Sequence, residues 1–474
     1  MNDAAVEADG IVRDGLRLES DTMGKVWVPA DRYWGAETQR ALTHFAIGEE
    51  KAPREVVKAL ANIKKAAALA NMDSGRLPEE LGRLIVAAAE EVAAGGLAHN
   101  FPVSLWSSGS GTQIHANVNE VIANRAIELG RGVLGTKTPV HPNDHVNMCQ
   151  STNDVFPSAM HVAACEALSG RLIPAIRELR DGLGEKARAW MQIVKIGRTH
   201  LMDAVPLSLG QEFSGYASML DDCLGRIDVV LPGLYRLALG GTAVGTGITA
   251  TKGFGERAIS HLAGITGLPL VPAANKFAAQ GAHDAVVMAS AALKTVAVSL
   301  YKIANDVRLL ASGPRCGLYE LKLPDNEPGS TIMPGKVNPT QCEVMAMAAI
   351  QVMGFDAAVA FAGAAGHLEM NVYKPLMAFD VLTSIRLMSD ACASFSRFLV
   401  AGMEANVERI RDYVDRSLML VTALSPVIGY DKASAIARLA HDEDLTLREA
   451  ALRLGYVSAE EFDRVVDPKK MIRQ

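Results

Sequence analysis

The chain has 474 residues, a formal net charge of −6, 49% hydrophobic and 21% charged residues. That is ample core for several domains or one large helical unit, and the mildly acidic balance argues against a general nucleic-acid binder. The six cysteines (Cys149, Cys165, Cys223, Cys316, Cys342 and Cys392) form no CxxC pair and keep no zinc-finger spacing with histidine. A disulfide framework and a knuckle-type metal site are therefore disfavoured, and reduced, mostly buried thiols are expected.

In chain order, MNDAAVEADGIVRDG is acidic and has no apolar stretch, so it does not read as a signal or transit peptide. Residues 12–50 read as an irregular arm with a short hairpin. Helical periodicity follows over 53–72, 78–95 and 113–130, and glycines and prolines at 129–143 break it. Five long helical stretches are expected near 155–192, 208–238, 278–312, 338–364 and 370–402. Segments such as VMAMAAIQVMGFDAAVAFAGAAG are apolar on more than one face, and a helix apolar all round is buried all round. One chain would leave such surface exposed, so bundles from several subunits are expected to pack together. Lys294, Lys302, Asp306, Arg308 and Asp356 interrupt these stretches and oppose a bilayer span, so a soluble, cytoplasmic protein is expected. From about 408 the helices shorten. Thr446 with Glu449 and Ser458 with Glu461 read as capping boxes, and Gly455 reads as a helix stop. The fold class is mainly α, with an N-terminal domain over 1–150, a long-helix domain over 151–407 and a small C-terminal domain over 408–474.

Four polar, glycine-containing islands interrupt this apolar background: SSGSGTQIHANVNE (107–120), HPNDHVNMCQSTND (141–154), GRTHLMDAVPLSLGQE (197–212) and PGSTIMPGKVNPTQCE (328–343). Each lies at or near a predicted helix end, where free N–H groups and the helix dipole suit anions. Their Ser, Thr, Asn and Gln side chains, with Lys336 as the one cation, suit a small carboxylate. Any single island reads as an ordinary loop; four in one chain carry the argument. GGTAVGTG (240–247) lacks the Lys of a phosphate loop and reads as a close backbone approach. His141, Asp144 and His145 have no second ligand cluster behind them, so no metal and no cofactor is expected.

The segment GSTIMPGKVNPTQCE closely resembles the GSSxMPxKxN signature of the fumarase/aspartase superfamily, and the likeness runs from DTMGKVWVPADRYWG to LMLVTALSPVIGYDKASAIA. His200 in GRTHLMDAVPLSLGQE makes the chain resemble the class II, iron-independent fumarate hydratases, since aspartases typically carry Gln there. The resemblance implies a three-domain fold with a five-helix bundle per subunit and a twenty-helix core in a homotetramer. It implies active sites shared between three subunits and reversible hydration of fumarate to (S)-malate. It further implies Ser330 as the base, His200 acting at the hydroxyl, and Glu343 orienting the imidazole. Substrate carboxylates would be held by Ser110, Gly111, Thr112, Ser151, Thr152, Asn153, Thr199, Thr331, Lys336 and Asn338. His141, Asn143 and Asp144 match a second dicarboxylate site.

Several residues depart from the family pattern: Ser107, Ser108, His115, Ala116, Thr138, His145, Thr152, Ala278 and Thr331. They change pocket volume in both directions, and one methylene shifts discrimination by about 1–3 kcal/mol. Neutral drift is one reading. The sharper one is a hydratase for a C2-substituted fumarate such as mesaconate. An aspartase-like ammonia lyase and a non-enzymatic protein on the same scaffold are the remaining rivals, which His200 and the retained Ser330, Lys336, Asn338 and Glu343 disfavour.

Overall fold

The computed structural model describes residues 8–472. The N-terminal arm is more regular than expected: Val12–Arg13, Leu16–Asp21 and Gly24–Pro29 form an antiparallel three-stranded sheet, with Leu18 paired to Trp27. One face buries Val28 with the charged pair Arg17 and Glu19, and the opposite face buries Leu18. Arg17 donates to Glu19 Oε1 at 2.6 Å and to the carbonyls of Ala30, Arg32 and Trp34, so each buried guanidinium nitrogen finds an acceptor.

The chain divides into two compact units. One comprises residues up to 173 with 225–297 and 350–388; the other comprises 174–224, 298–349 and 389–474. In the first, helix Arg54–Asp73 packs on Glu79–Ala93, Thr152–Ala167 and Phe254–Thr266. Alanines at 59, 61, 66, 67 and 70 are fully buried there, and their small side chains let neighbouring backbones approach. Helix Thr112–Leu129 packs on Glu79–Ala93 and Ala36–His44.

The second unit holds a small apolar cluster built by the short C-terminal helices. Val414, Leu424, Ile436, Leu447, Ala450 and Phe462 belong to it, and so does Ile196 from a β-hairpin far upstream in the chain. That hairpin, Val194–Thr199 with Met202–Ser208, was not expected from the sequence. Its strands carry Lys, Arg, Gly and Pro, so no clean period-2 alternation marks them. The expected caps are present at Thr446, which forms the reciprocal box with Glu449, and at Gly455, with φ +64°. At Ser458 only half the expected box forms. Its hydroxyl accepts from the Glu461 N–H, while the Glu461 carboxylate turns toward Arg464.

The long helices are Leu209–Leu234, Asp284–Leu310, Thr340–Ala364 and Lys374–Phe395. The expected helix over 155–192 is present as one continuous run, Thr152–Ala167 and Ile173–Ala189, with a single π-turn at Leu168–Leu172 inside it, where Ser169 and Gly170 are weak helix formers. Asp284–Leu310 and Thr340–Ala364 have the length and apolar composition of a bilayer span. Asp356, buried midway along the second, is bonded to Ser290 and Lys294 of the first, which is how a helix bundle satisfies a buried charge. All six cysteines are free and only Cys316 is exposed.

Candidate active site

The 107–112 and 151–153 islands are assembled within the first unit. Gly111 caps helix Thr112–Leu129 at φ +85°, and a Cβ there would sit 2.4 Å from the Phe156 ring, so only glycine closes this turn. Gly109 is equally constrained: a Cβ would fall 1.5 Å from the Val372 carbonyl oxygen. The hydroxyls of Ser108, Ser110 and Thr112 form a chain with steps of 2.5 and 2.7 Å. Ser151 caps helix Thr152–Ala167 through a reciprocal box with Asp154. The other carboxylate oxygen of Asp154 accepts the N–H groups of Gly240 (2.8 Å) and Thr242 (3.0 Å). The GGTAVGTG segment thus wraps a carboxylate of this chain. Gly240 makes the close approach expected there, since a Cβ would lie 2.7 Å from Gly255 Cα. Asn153 Nδ2 donates to the Ala243 carbonyl at 2.7 Å. Burial pushes the Asp154 carboxyl up, and the N–H groups of Ser151, Thr242 and Gly240 oppose it. Two helix N-termini therefore carry short hydroxyl side chains, an arrangement that receives carboxylates.

Beneath Thr152 lies a buried polar chain that sequence reasoning missed in part. Lys64 is fully buried, and its ammonium meets His115 Nε2, Asn147 Oδ1 and Gln150 Oε1. His115 Nδ1 contacts Thr152 Oγ1 at 2.7 Å. Its signal was available: Lys64 falls on the same helical face as the buried Leu60, Ala67 and Asn71, at i−4, i+3 and i+7.

The remaining candidates lie in the second unit. His200 and Leu201 occupy the tip of the 194–208 hairpin with φ of 57° and 62°, a two-residue turn that normally takes Asn or Gly. Non-glycine residues held there cost free energy. His200 is exposed, while the hairpin's root is fixed. Glu320, fully buried, binds Lys195 at 2.9 Å and Arg198 at 2.8 Å, and Lys195 also binds Glu212 at 2.7 Å.

In the 328–339 loop, Ser330 Oγ accepts the N–H groups of Met333 (3.0 Å) and Ile332 (3.3 Å). Two dipoles aimed at one oxygen stabilise its anion more than its neutral form. Lys336 Nζ donates to Asn338 Oδ1 at 2.6 Å, and Asn338 Nδ2 donates to the Gly329 carbonyl at 2.6 Å. The loop is thereby tied to itself, with Thr331, Lys336 and the first-turn Glu343 exposed. Among the described residues no hydrogen bond joins His200 to Glu343 or to Ser330.

His141 Nδ1 accepts the N–H groups of Asn143 and Asp144 at 3.1 and 3.2 Å, so the imidazole itself starts the wide turn Pro142–Val146. Burial holds its pKa below the usual imidazole value, with Asp144 opposing. His141 and Asn143 line a cavity of about 260 Å³ together with Lys137 and the carboxylates of Glu19, Asp21, Glu37 and Glu120. Among the described residues no group of three or more His, Cys, Asp or Glu is placed to hold a metal ion.

Residues 24–354 match the family described as Lyase, and residues 420–473 match the fumarase C C-terminus. A class II fumarate hydratase of Thermosynechococcus vestitus is 59% identical over 456 residues, covering 96% of this chain and 98% of that protein. The chain belongs to the class II fumarate hydratases. A relative from Rhizopus oryzae, named as a mitochondrial fumarate hydratase, is 57% identical over 96% of this chain and 93% of its own. The crystal structure of a class II fumarase from Schistosoma mansoni superposes with a TM-score of 0.94 at 43% identity, covering 96% of this chain and 99% of that one. The mainly α fold expected from the sequence is the fold of that fumarase. Neither a mesaconate hydratase nor an amine-releasing lyase is favoured by these fumarate hydratase matches.

Proposed function

We infer that the protein hydrates fumarate reversibly to (S)-malate. The observation that carries this is near-complete coverage at 59% identity to a fumarate hydratase. In the elimination direction a proton leaves the carbon beside a carboxylate, and a second negative charge develops on that carboxylate. The barrier falls when preorganised donors face the developing charge.

In this reading Ser330 is the base, and the N–H groups of Ile332 and Met333 support its alkoxide. His200 acts at the departing hydroxyl, with Glu343 holding its ring. Ser110, Gly111, Thr112, Ser151, Thr152, Asn153, Thr199, Thr331, Lys336 and Asn338 hold the substrate carboxylates. His200, Thr331, Lys336 and Glu343 are exposed in one chain, which accords with a site completed by neighbouring subunits of a homotetramer. The bare apolar side chains of helix Thr340–Ala364 support the same assembly: Met347 is 62% and Phe361 81% exposed. His141, Asn143 and Asp144 are proposed as a second dicarboxylate site. The carboxylates that share its cavity oppose a dianion while they are ionised. The domain division at 150 and 407 and a cytoplasmic location belong to the same proposal.

The test is absorbance at 240 nm with fumarate, malate and mesaconate, alongside ammonia release from aspartate. Hydration of fumarate in preference to mesaconate, abolished in Ser330→Ala, is the expected result. A flat trace with fumarate and malate, or ammonia from aspartate, would overturn the reading. Light scattering on the wild type and on Phe361→Asp reads the assembly, with a tetramer expected for the first and a smaller species for the second.

A further inference from the structure

Lys64 and His115 have no part in the chemistry described above, yet they are buried and each of their side-chain nitrogens has a partner. An ammonium has three N–H donors and no acceptor. Lys64 meets three acceptors: His115 Nε2 at 2.5 Å, Asn147 Oδ1 at 2.9 Å and Gln150 Oε1 at 2.9 Å. The two amides cannot be turned round without loss. Gln150 Nε2 already donates to the carbonyls of Val146 and Met148, both at 3.1 Å, and Asn147 Nδ2 donates to the Gln150 carbonyl at 3.4 Å. Their oxygens are therefore committed to Lys64.

That leaves the imidazole. If Lys64 donates to Nε2, the ring proton of neutral His115 sits on Nδ1, which faces Thr152 Oγ1 at 2.7 Å. The threonine oxygen then accepts from His115, and its own proton turns away from the ring. Thr152 is the first residue of helix Thr152–Ala167, next to the capping Ser151, and is partly exposed. Its free proton lies where a helix N-terminus favours an anion. Burial keeps the His115 ring neutral, and the charge of Lys64 acts in the same sense. Burial also lowers Lys64, which the Asp154 carboxylate opposes.

We propose that Lys64 and His115 are positioning residues for the hydratase reaction: the lysine fixes the tautomer of His115, and His115 orients the Thr152 hydroxyl to donate to a substrate carboxylate. The proposal rests on the reading of the 151–153 turn as a carboxylate site.

A neutron structure of the wild-type protein reads the relay directly. Deuterium on His115 Nδ1, none on Nε2 and three on Lys64 Nζ are expected; deuterium on Nε2 overturns the proposal. Steady-state kinetics with fumarate read its consequence. A hydrogen bond to a charged ligand group is worth about 10- to 100-fold, so Thr152→Val should raise KM by about 10-fold or more, with kcat changed less than about threefold. Lys64→Met should raise KM similarly, and the double variant should be no worse than Thr152→Val alone. His115→Asn should recover much of what His115→Phe loses. Independent, multiplying losses in the double variant, or equal losses for His115→Asn and His115→Phe, would count against the relay. If Lys64→Met does not fold, the neutron map, Thr152→Val and the two His115 variants still decide. If the wild type fails to hydrate fumarate, the functional reading falls instead, and the neutron map alone judges the relay.

Discussion

The carboxylate cradle of the first unit and the exposed loops of the second use the same small vocabulary of Ser, Thr, Gly and Asn, to opposite effect. In the cradle hydroxyls lean on other buried or half-buried groups: Ser108 on Ser110, Ser110 on Thr112, and Thr152 on His115. Its glycines sit against Phe156 and Val372 with no room for a methyl group. At the His200 tip and in the 328–339 loop, His200, Thr331 and Lys336 are exposed above segments fixed by the Arg198–Glu320 pair and by the loop's own hydrogen bonds. One region is preassembled in a single chain, whereas the other has a rigid root and an unfinished surface. Binding groups gain from burial because it strengthens each hydrogen bond, while groups that meet partners from elsewhere must stay accessible.

The sharpest test of that contrast compares kcat with KM. Ser330→Ala should lower kcat by about 10²–10⁴ with little change in melting temperature, since the side chain lies on a surface loop. Ser110→Ala should act mainly on KM. Equal effects of both on KM would erase the distinction between the two regions.

The root of the hairpin comes next. Glu320→Ala leaves Lys195 and Arg198 without their buried carboxylate and should cost about 3–5 kcal/mol. Urea denaturation measures it, and kcat should fall as the His200 tip loosens. Stability within 1 kcal/mol of wild type would show that the network does not anchor the hairpin.

The cradle side has a pH signature. Burial pushes Glu120 up to about 7 from 4.5, although its carboxylate accepts the N–H groups of Gly35, Glu37 and Thr38. Below 4.5 both folded and unfolded chains hold this proton; between 4.5 and 7 only the folded chain does. Its contribution, about 3 kcal/mol, is therefore present at low pH and is lost as pH rises through 7. Urea midpoints from pH 5 to 8 should fall more steeply for wild type than for Glu120→Gln, and parallel slopes would refute it.

Smaller effects refine the picture. Gly111→Ala must place a Cβ at positive φ against Phe156 and should cost about 1–3 kcal/mol, with KM raised in parallel. Thr446→Ala removes one half of a reciprocal cap in the C-terminal helices and should cost about 1 kcal/mol, with kcat and KM unchanged.

The sequence by itself determined the helices and the polar islands. Periodicity, caps and glycine stops are written in neighbouring residues, so Arg54–Asp73, Leu209–Leu234 and the Thr446 box were legible within a few positions. It also carried the family, because the GSTIMPGKVNP motif is local. Only the tertiary structure decided that GRTHLMDAVPLS is a hairpin, since its strands are held by Glu320 and by a C-terminal apolar cluster more than two hundred residues downstream. Only the tertiary structure joined Lys64 to His115 and Thr152, drawn from three segments. The helical face of Lys64 signals its burial, but acceptors supplied across long sequence separations leave no periodic trace in the chain.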